Sequence, residues 1–443
     1  MPRSQGINSQ IINIAWPAIV SNITTPLLGL VDTAIAGHLG SAVYLGAIAL
    51  GSTIFSLIYW LFGFLRMGTT GIAAQAFGAH DFNSLALVLK RSFGLAWGIS
   101  VLLIILSPFI CGPLLSFLDA DDACQPLAAI YFRILIWGSP AVMMTYVLNG
   151  WMVGMQNTRL PMQIAIFTNV LNICISAVLV FIFRLKIEVI AIGTLTSQWC
   201  AVLIYLLAVR KTFRSLRHDG SKQTFFSFRK LFGINADIFF RTLCMVGVTA
   251  WFTRAGSSQG VEVLSANSIL MQLFLFFSYF SDGFAYAGEA VVGKYAGKRI
   301  WKMVKSVVQH LLYWGAGLAI AFSLLYFLCG EYILLILTDR HDVVDVAKEY
   351  LPWAVAVPLS GIVAFIYDGV YIGLTRTKWM LVSVASATLL YFLCFFIFAR
   401  IISTNHALWL SFVIYLVSRG IILHLAFSRQ SRQISGPHGA IAK

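Results

Sequence analysis

Twelve apolar runs, each long enough to cross the roughly 30 Å hydrocarbon core of a bilayer, govern what this chain can fold into. Delimited by charges or by Gly and Pro clusters, they fall near 11–35, 45–69, 92–115, 127–153, 161–183, 188–208, 232–254, 262–288, 306–328, 350–373, 379–401 and 407–427. A backbone in lipid has to satisfy its own hydrogen bonds, so the expected fold is an all-α membrane protein of twelve transmembrane helices. Composition agrees: of 443 residues, 59% are hydrophobic and 11% charged, less than half the roughly 25% charge of a soluble domain. The polar start, MPRSQGINSQ, leads into the first run without a small-residue cleavage pattern, so that run reads as a retained span.

The formal net charge of +14 is a topology signal before it is a binding signal. About 21 of the 31 Lys and Arg fall on one side of the membrane, among them Lys90, Arg91, Lys294, Lys298, Arg299, Lys302, Lys305, Arg376 and Lys378, against about 6 on the other. The positive side is the cytoplasm, which places both termini there. Asp119, Asp121, Asp122, Asp339, Asp342, Asp345 and Glu349 collect on the opposite side. The excess positive charge is thereby explained with no nucleic acid partner. The longest polar connection carries Arg210, Lys211, Arg214, Arg217, Lys222, Arg229 and Lys230 and divides six spans from six. The expected organisation is an amino-terminal lobe over 1–209, a cytoplasmic linker over 210–230, a carboxy-terminal lobe over 231–428 and a cytoplasmic tail over 429–443.

The two halves repeat. Residues 149–160 align with 368–379 at an offset of 219, with Gly150, Gly154 and Thr158 matched by Gly369, Gly373 and Thr377, and with Tyr131 matched by Tyr350. An even number of spans per copy brings both halves into the membrane from the same side, as pseudo-symmetric lobes related by an axis along the membrane normal. That is the plan of a rocking transporter, with its ligand site near the midplane.

An ionisable group in hydrocarbon costs about 2.5 to 3.5 kcal/mol on insertion scales, so each intramembrane acid needs a reason. Four stand out: Asp32, Asp282, Glu289 and Asp368. Asp32 shares a helix face with Thr25 and Gly29 and has no basic residue within a turn. Desolvation disfavours its charged form, which makes it the first candidate for a coupling proton; the alternative is a structural acid paired across helices. Asp368 follows Tyr367 at the repeat position of Asn149, so each half has a polar side chain there, either a ligand contact or an interhelical hydrogen bond. Asp282 and Glu289 share one face, and Arg66, Arg241 and Arg419 are the deepest basic residues, any of which is placed to neutralise one of these acids. Pro17 and Pro26 favour a bend in the first span, either static or coupled to Asp32.

Enzyme chemistry finds no footing. The seven cysteines include no C-x-x-C pair, so neither a disulfide framework nor a metal site is indicated. Residues 256–260 match the G-x-S-x-G pattern in form only, with no strand before them, and no P-loop, G-x-G-x-x-G or H-E-x-x-H occurs.

Pro17, the run Gly29-Leu30-Val31-Asp32-Thr33 with Gly37-His38-Leu39-Gly40, the run from Ala74 to Ala79, and Leu171-Asn172-Ile173 together resemble the multidrug and toxic compound extrusion (MATE) family, and the similarity covers essentially the whole chain. The resemblance implies export of organic, often cationic and amphipathic small molecules in exchange for protons or sodium, by a multi-pass protein of the bacterial inner membrane. It implies Asp32 as the protonation site, with Asn149, Asn172 and Thr194 nearby. Some relatives carry a second acid in the fifth span where this chain has Ser176, which leaves Asp32 without that partner. The sodium-coupled branch pairs a seventh-span glutamate with a tenth-span aspartate; here the aspartate is Asp368, but the seventh span reads Phe239-Phe240-Arg241, and an arginine there repels a cation.

The expected protein is therefore a monomeric proton-coupled antiporter driven by the proton motive force, with no cofactor, metal or enzymatic activity. Asp32 is its coupling residue, Asn149, Asn172, Thr194, Tyr367 and Asp368 line its cavity, and Pro17 and Pro26 supply the bend. The rival readings are a sodium-coupled drug antiporter and a lipid-linked precursor flippase; the second requires more intramembrane Arg and Lys than this chain offers.

Overall fold

The computed structural model describes residues 6–37, 42–117, 123–181, 187–216 and 228–435; several side chains within helices, including those of Thr25 and Asp32, also lie outside the described set. So do His38, Leu39 and Gly40, the acids Asp119, Asp121 and Asp122, and residues 217–227 of the 210–230 linker. The described chain forms twelve long helices: α1 Ile7–Gly37, α2 Val43–Gly78, α3 Phe82–Ser116, α4 Gln125–Gly154, α5 Arg159–Phe181, α6 Ile187–Leu216, α7 Phe228–Ser257, α8 Val261–Gly297, α9 Trp301–Leu337, α10 His341–Gly373, α11 Lys378–Phe398 and α12 Thr404–Ser435. Over the described residues, 11 of these helices are long and apolar enough to cross a membrane; the remaining one, α1, is 31 residues long. The chain is a multi-pass membrane protein.

Most helices run past the apolar stretches that mark them. The tenth run starts near residue 350, while α10 starts at His341, because a helix continues through polar ends whereas hydropathy marks only the lipid-embedded length. Pro352 and Pro358 are accommodated inside α10, and Pro108 and Pro113 inside α3. Helix α1 continues through both Pro17 and Pro26. Three helices contain an irregular turn: α2 breaks at Phe62 and Gly63, α4 holds a 3-10 turn at Ile136–Gly138, and α8 holds a π-helical turn at Gly288–Val292. Such turns re-aim the helix that carries them.

The helices gather into two compact units, one of residues 20–231 and the other of 1–19 with 232–443, so the division falls inside α1, after Ile19. In the second unit the start of α1 is tied down by polar contacts. Gln10 bonds Tyr295 and Lys294, and the Trp314 indole donates to Asn8. Gly283 of α8 packs against Ile19 and the Ala15 carbonyl.

Helices in lipid gain little from hydrophobic burial against one another, so close packing and small residues hold them together. The repeat glycines do this work at the same place in both units. A Cβ on Gly150 of α4 would sit 2.3 Å from the Arg66 carbonyl oxygen of α2, and one on Gly369 of α10 would sit 2.2 Å from the Ala285 carbonyl oxygen of α8. Gly154 likewise meets Thr70 O at 2.9 Å, and Gly373 meets Glu289 O at 2.8 Å. Each of the four residue pairs so matched is separated by the same 219 residues: Arg66 and Ala285, Thr70 and Glu289, Gly150 and Gly369, Gly154 and Gly373.

The turns repeat as well. Among the described residues, four other than glycine have positive φ, His80, Gln156, Arg299 and Thr375, and they form two pairs 219 apart. Each closes a helix with a bond from the following N–H back to a carbonyl five residues earlier, as in Asp81 to Ala76 and Ile300 to Tyr295, 2.9 and 3.0 Å. This arrangement satisfies carbonyls that a helix end otherwise leaves open. Identical contacts and turns at one offset are the structural signature of the duplication.

Glycine at the α8–α10 crossing is thus a steric requirement. Gly369→Ala is expected to lose about 1 to 3 kcal/mol of stability through overpacking, read as a lower thermal midpoint of the purified protein. Gly317→Ala, where a Cβ meets nothing within 4 Å, is expected to be neutral or mildly stabilising.

Candidate functional site

Each unit buries its own polar cluster. In the unit of residues 20–231, Asn172 of α5 donates from Nδ2 to the Thr194 hydroxyl of α6 at 2.9 Å, and Thr194 donates to the Ile190 carbonyl at 3.0 Å. Gly193, beside Thr194, lets α6 approach: a Cβ there would lie 2.9 Å from the Ser176 Oγ. Asn172, Ser176 and Thr194 therefore lie along the α5–α6 contact, where the sequence puts the first and third among the cavity residues. The Oδ1 atoms of Asn172 and Asn149 and the Ser176 hydroxyl are buried with no hydrogen-bond partner among the described residues. Buried polar atoms of this kind call for a partner such as water or ligand. Asn169 of α5 donates to the Thr24 carbonyl, two residues before Pro26, and so ties α5 to the second half of α1. Asp32 is carried by that same stretch of α1, but its side chain lies outside the described residues.

In the other unit, the cluster is ionic. Asp368 of α10 takes a hydrogen bond on one oxygen, Oδ2, from Arg241 of α7 at 2.5 Å and from Arg419 of α12 at 2.7 Å. All three are buried, with 6%, 6% and 2% of their surfaces exposed for Asp368, Arg241 and Arg419. The two arginines lie near the middle of helices of 30 and 32 residues, where water from either end is most distant. Arg419 also stacks over the Tyr415 ring, 5.3 Å from its centroid, a favourable cation–π placement. The sequence identified Arg241 and Arg419 as neutralising candidates; the structure gives both of them to the same acid.

The remaining candidates are placed as follows. Tyr367 is buried, its hydroxyl 2.8 Å from His424 Nδ1, and it packs among Tyr371, His424 and Phe427 rather than beside the Asp368 carboxylate contacts. Glu289 is buried inside the π-helical turn of α8, and Asp282 is half-buried on the same helix. Pro17 is buried and Pro26 half-buried.

Sequence reasoning missed a third polar centre. Asn267 of α8 and Asn405 of α12 exchange side-chain bonds of 2.7 and 3.1 Å, and the Trp409 indole donates to Asn267 at 2.9 Å. Near it, the Trp353 indole donates to His406 Nδ1 at 3.0 Å, and His406 Nε2 lies 3.3 Å from Glu349. The one signal was the helical spacing of Asn405 and Trp409; their partner Asn267 is more than a hundred residues away, and the Trp353 partner of His406 is fifty-three away.

Comparison with known proteins places this architecture. The MatE family model matches the chain twice, over residues 17–178 and 238–397, once per half. A curated relative, DNA damage-inducible protein F of Escherichia coli (strain K12), is 36% identical over 423 residues, covering 95% of this chain and 92% of the relative. The probable multidrug resistance protein NorM of Photorhabdus laumondii is 26% identical over 354 residues, 76% of this chain and 75% of that one. Among solved structures, an outward-facing multidrug resistance MATE family transporter superposes with a TM-score of 0.85 at 18% identity, covering 98% of this chain and 97% of that one. The Vibrio cholerae MATE transporter VcmN in the bent form gives 0.84 at 18% identity, covering 96% and 97%. The chain belongs to the MATE family of membrane transporters.

The ionic cluster makes a signed stability prediction. Asp368→Asn leaves two buried guanidinium groups without a counter-charge, whereas Arg419→Met leaves a balanced Arg241–Asp368 pair. Asp368→Asn is expected to be the more damaging, by about 3 to 5 kcal/mol, with part of the loss regained in the Asp368→Asn/Arg419→Met double variant. Thermal unfolding of the three purified variants checks this; an equal loss in both single variants would rule out charge balance as the determinant.

Proposed function

We propose that this chain exports organic, often cationic and amphipathic compounds across the bacterial cytoplasmic membrane in exchange for protons, by alternating access of two six-helix lobes with both termini in the cytoplasm. It acts as a monomer with no cofactor beyond the proton motive force. The names of its relatives, several of them multidrug resistance proteins, support the drug-efflux part of the reading.

One observation supports the choice of coupling ion. The tenth-span carboxylate, Asp368, is flanked by two guanidinium groups at 2.5 and 2.7 Å, so the site around it carries a net positive charge. A sodium ion there would face two like charges and one shared carboxylate. Coupling is therefore assigned to the other lobe and to Asp32, the acid of α1. Asn149, Asn172 and Thr194 supply neutral hydrogen-bonding groups for the substrate in that lobe, a role that the unpartnered buried Oδ1 atoms of the two asparagines suit.

Inward proton movement supplies about 2.3 kcal/mol per 100 mV of membrane potential, and each pH unit adds about 1.4 kcal/mol. Together they sustain an accumulation ratio of tens- to hundreds-fold. Protonation drives the cycle only by stabilising one orientation of the transporter over the other, and substrate and proton then compete for different states.

Efflux of a fluorescent organic cation from cells or proteoliposomes tests this. An outside-acid pH gradient is expected to drive efflux in the wild type without sodium, and Asp32→Asn is expected to reduce it at least about tenfold, in line with loss of a group on which the driving equilibrium depends. Asp368→Asn retains a response to the pH gradient. Efflux that follows a sodium gradient alone, or that is lost only in Asp368→Asn, overturns the assignment.

A further inference from the structure

We infer that the Arg241–Asp368–Arg419 cluster is a binding site for one monovalent anionic group, taken from a small inorganic anion or from the carboxylate of an amphipathic substrate. The charges do not balance: two guanidinium groups face one carboxylate, all three buried, with the arginines near the middle of α7 and α12 and Asp368 in the last third of α10. An uncompensated charge at that depth is costly, and a single anion restores neutrality.

The donor geometry is equally unfinished. Each guanidinium gives one Nη2 bond to the same Asp368 oxygen, while both Nε atoms and Asp368 Oδ1 are buried with no partner among the described residues. A planar guanidinium presents five N–H groups suited to carboxylate recognition, so two of them at one carboxylate leave capacity for a second anion. Further donors follow the same face of α12. Ser411, Tyr415 and Arg419 are spaced four apart, and the hydroxyls of Ser411 and Tyr415 are also buried without a partner among the described residues. Tyr391 of α11 adds a third such hydroxyl, its ring 6.2 Å from that of Tyr415. Hydroxyls, which donate as readily as they accept, and guanidinium groups together form an anion-selective lining. Asp368 then acts as a built-in competitor that holds the arginines in place and keeps anion binding reversible.

Only the transport consequence, that acidic or zwitterionic compounds are among the substrates, rests on the efflux reading; the binding claim does not. The test is thermal unfolding of the purified full chain in neutral detergent, titrated with sodium chloride or sodium decanoate at constant ionic strength against sodium gluconate. The wild type is expected to gain stability saturably with at least one of the two anions. Asp368→Asn, with the internal competitor removed, is expected to half-saturate at about tenfold lower anion concentration. Arg241→Met/Arg419→Met is expected to lose the response, and Arg419→Lys, which keeps the charge and serves if the double variant does not fold, to retain a weakened one. A response to chloride identifies the inorganic source, and a response to decanoate alone identifies the amphiphile's carboxylate. No saturable response in the wild type, or the same response in the arginine-free variant, overturns the inference. Intact proton-driven efflux with no anion response sinks this inference alone, and an anion response without proton-driven efflux sinks only the proposed function.

Discussion

Two guanidinium groups gripping one carboxylate oxygen, deep inside a bundle of membrane helices, constrain everything else about how this chain works. Arg241, Asp368 and Arg419 come from three different helices, so the ion cluster ties α7, α10 and α12 together. It also fixes the sign of the local charge as positive. In water such a cluster would be a minor feature, because solvent screens it; in a low-dielectric interior it decides which ions are welcome. On the proposed reading, the proton is accordingly handled in the opposite unit, at Asp32.

The duplication explains how one chain carries two such different interiors. The glycine contacts, the helix-ending turns and the family-model matches recur in the two halves, so the packing frame is shared. Within that frame the buried polar positions differ. Asn149 and Asp368 occupy equivalent places 219 residues apart, one neutral and one charged. Small residues at the crossings preserve the fold, since a Cβ at Gly150 or Gly369 would strike backbone, while polar residues one position away are free to change. The fold is conserved between halves by sterics and the chemistry is varied by side-chain charge.

Much of the architecture was legible in the sequence for physical reasons. Hydropathy reports the membrane thickness, so the number and position of the spans followed directly, while helix ends did not, because α9, α10 and α12 continue past their apolar runs. The repeat was legible because Gly spacing is informative even in apolar sequence. Arg241 and Arg419 stood out as intramembrane cations, but which acid they serve depends on long-range packing: Arg241 is 127 residues from Asp368 and Arg419 is 51. The Asn267–Asn405–Trp409 centre was invisible for the same reason, its members being ordinary residues until two helix faces meet. Asn172 and Thr194 do meet across α5 and α6, and Tyr367 turns to His424 instead of lying with Asp368 and the two arginines.

The account stands on a division of labour, with a proton exchanged at Asp32 and a fixed ionic cluster at Asp368. The most direct measurement is proton release from purified protein in weakly buffered detergent solution on addition of a transported organic cation. The account predicts release from the wild type and from Asp368→Asn, and none from Asp32→Asn. Release that persists in Asp32→Asn and disappears in Asp368→Asn would contradict it.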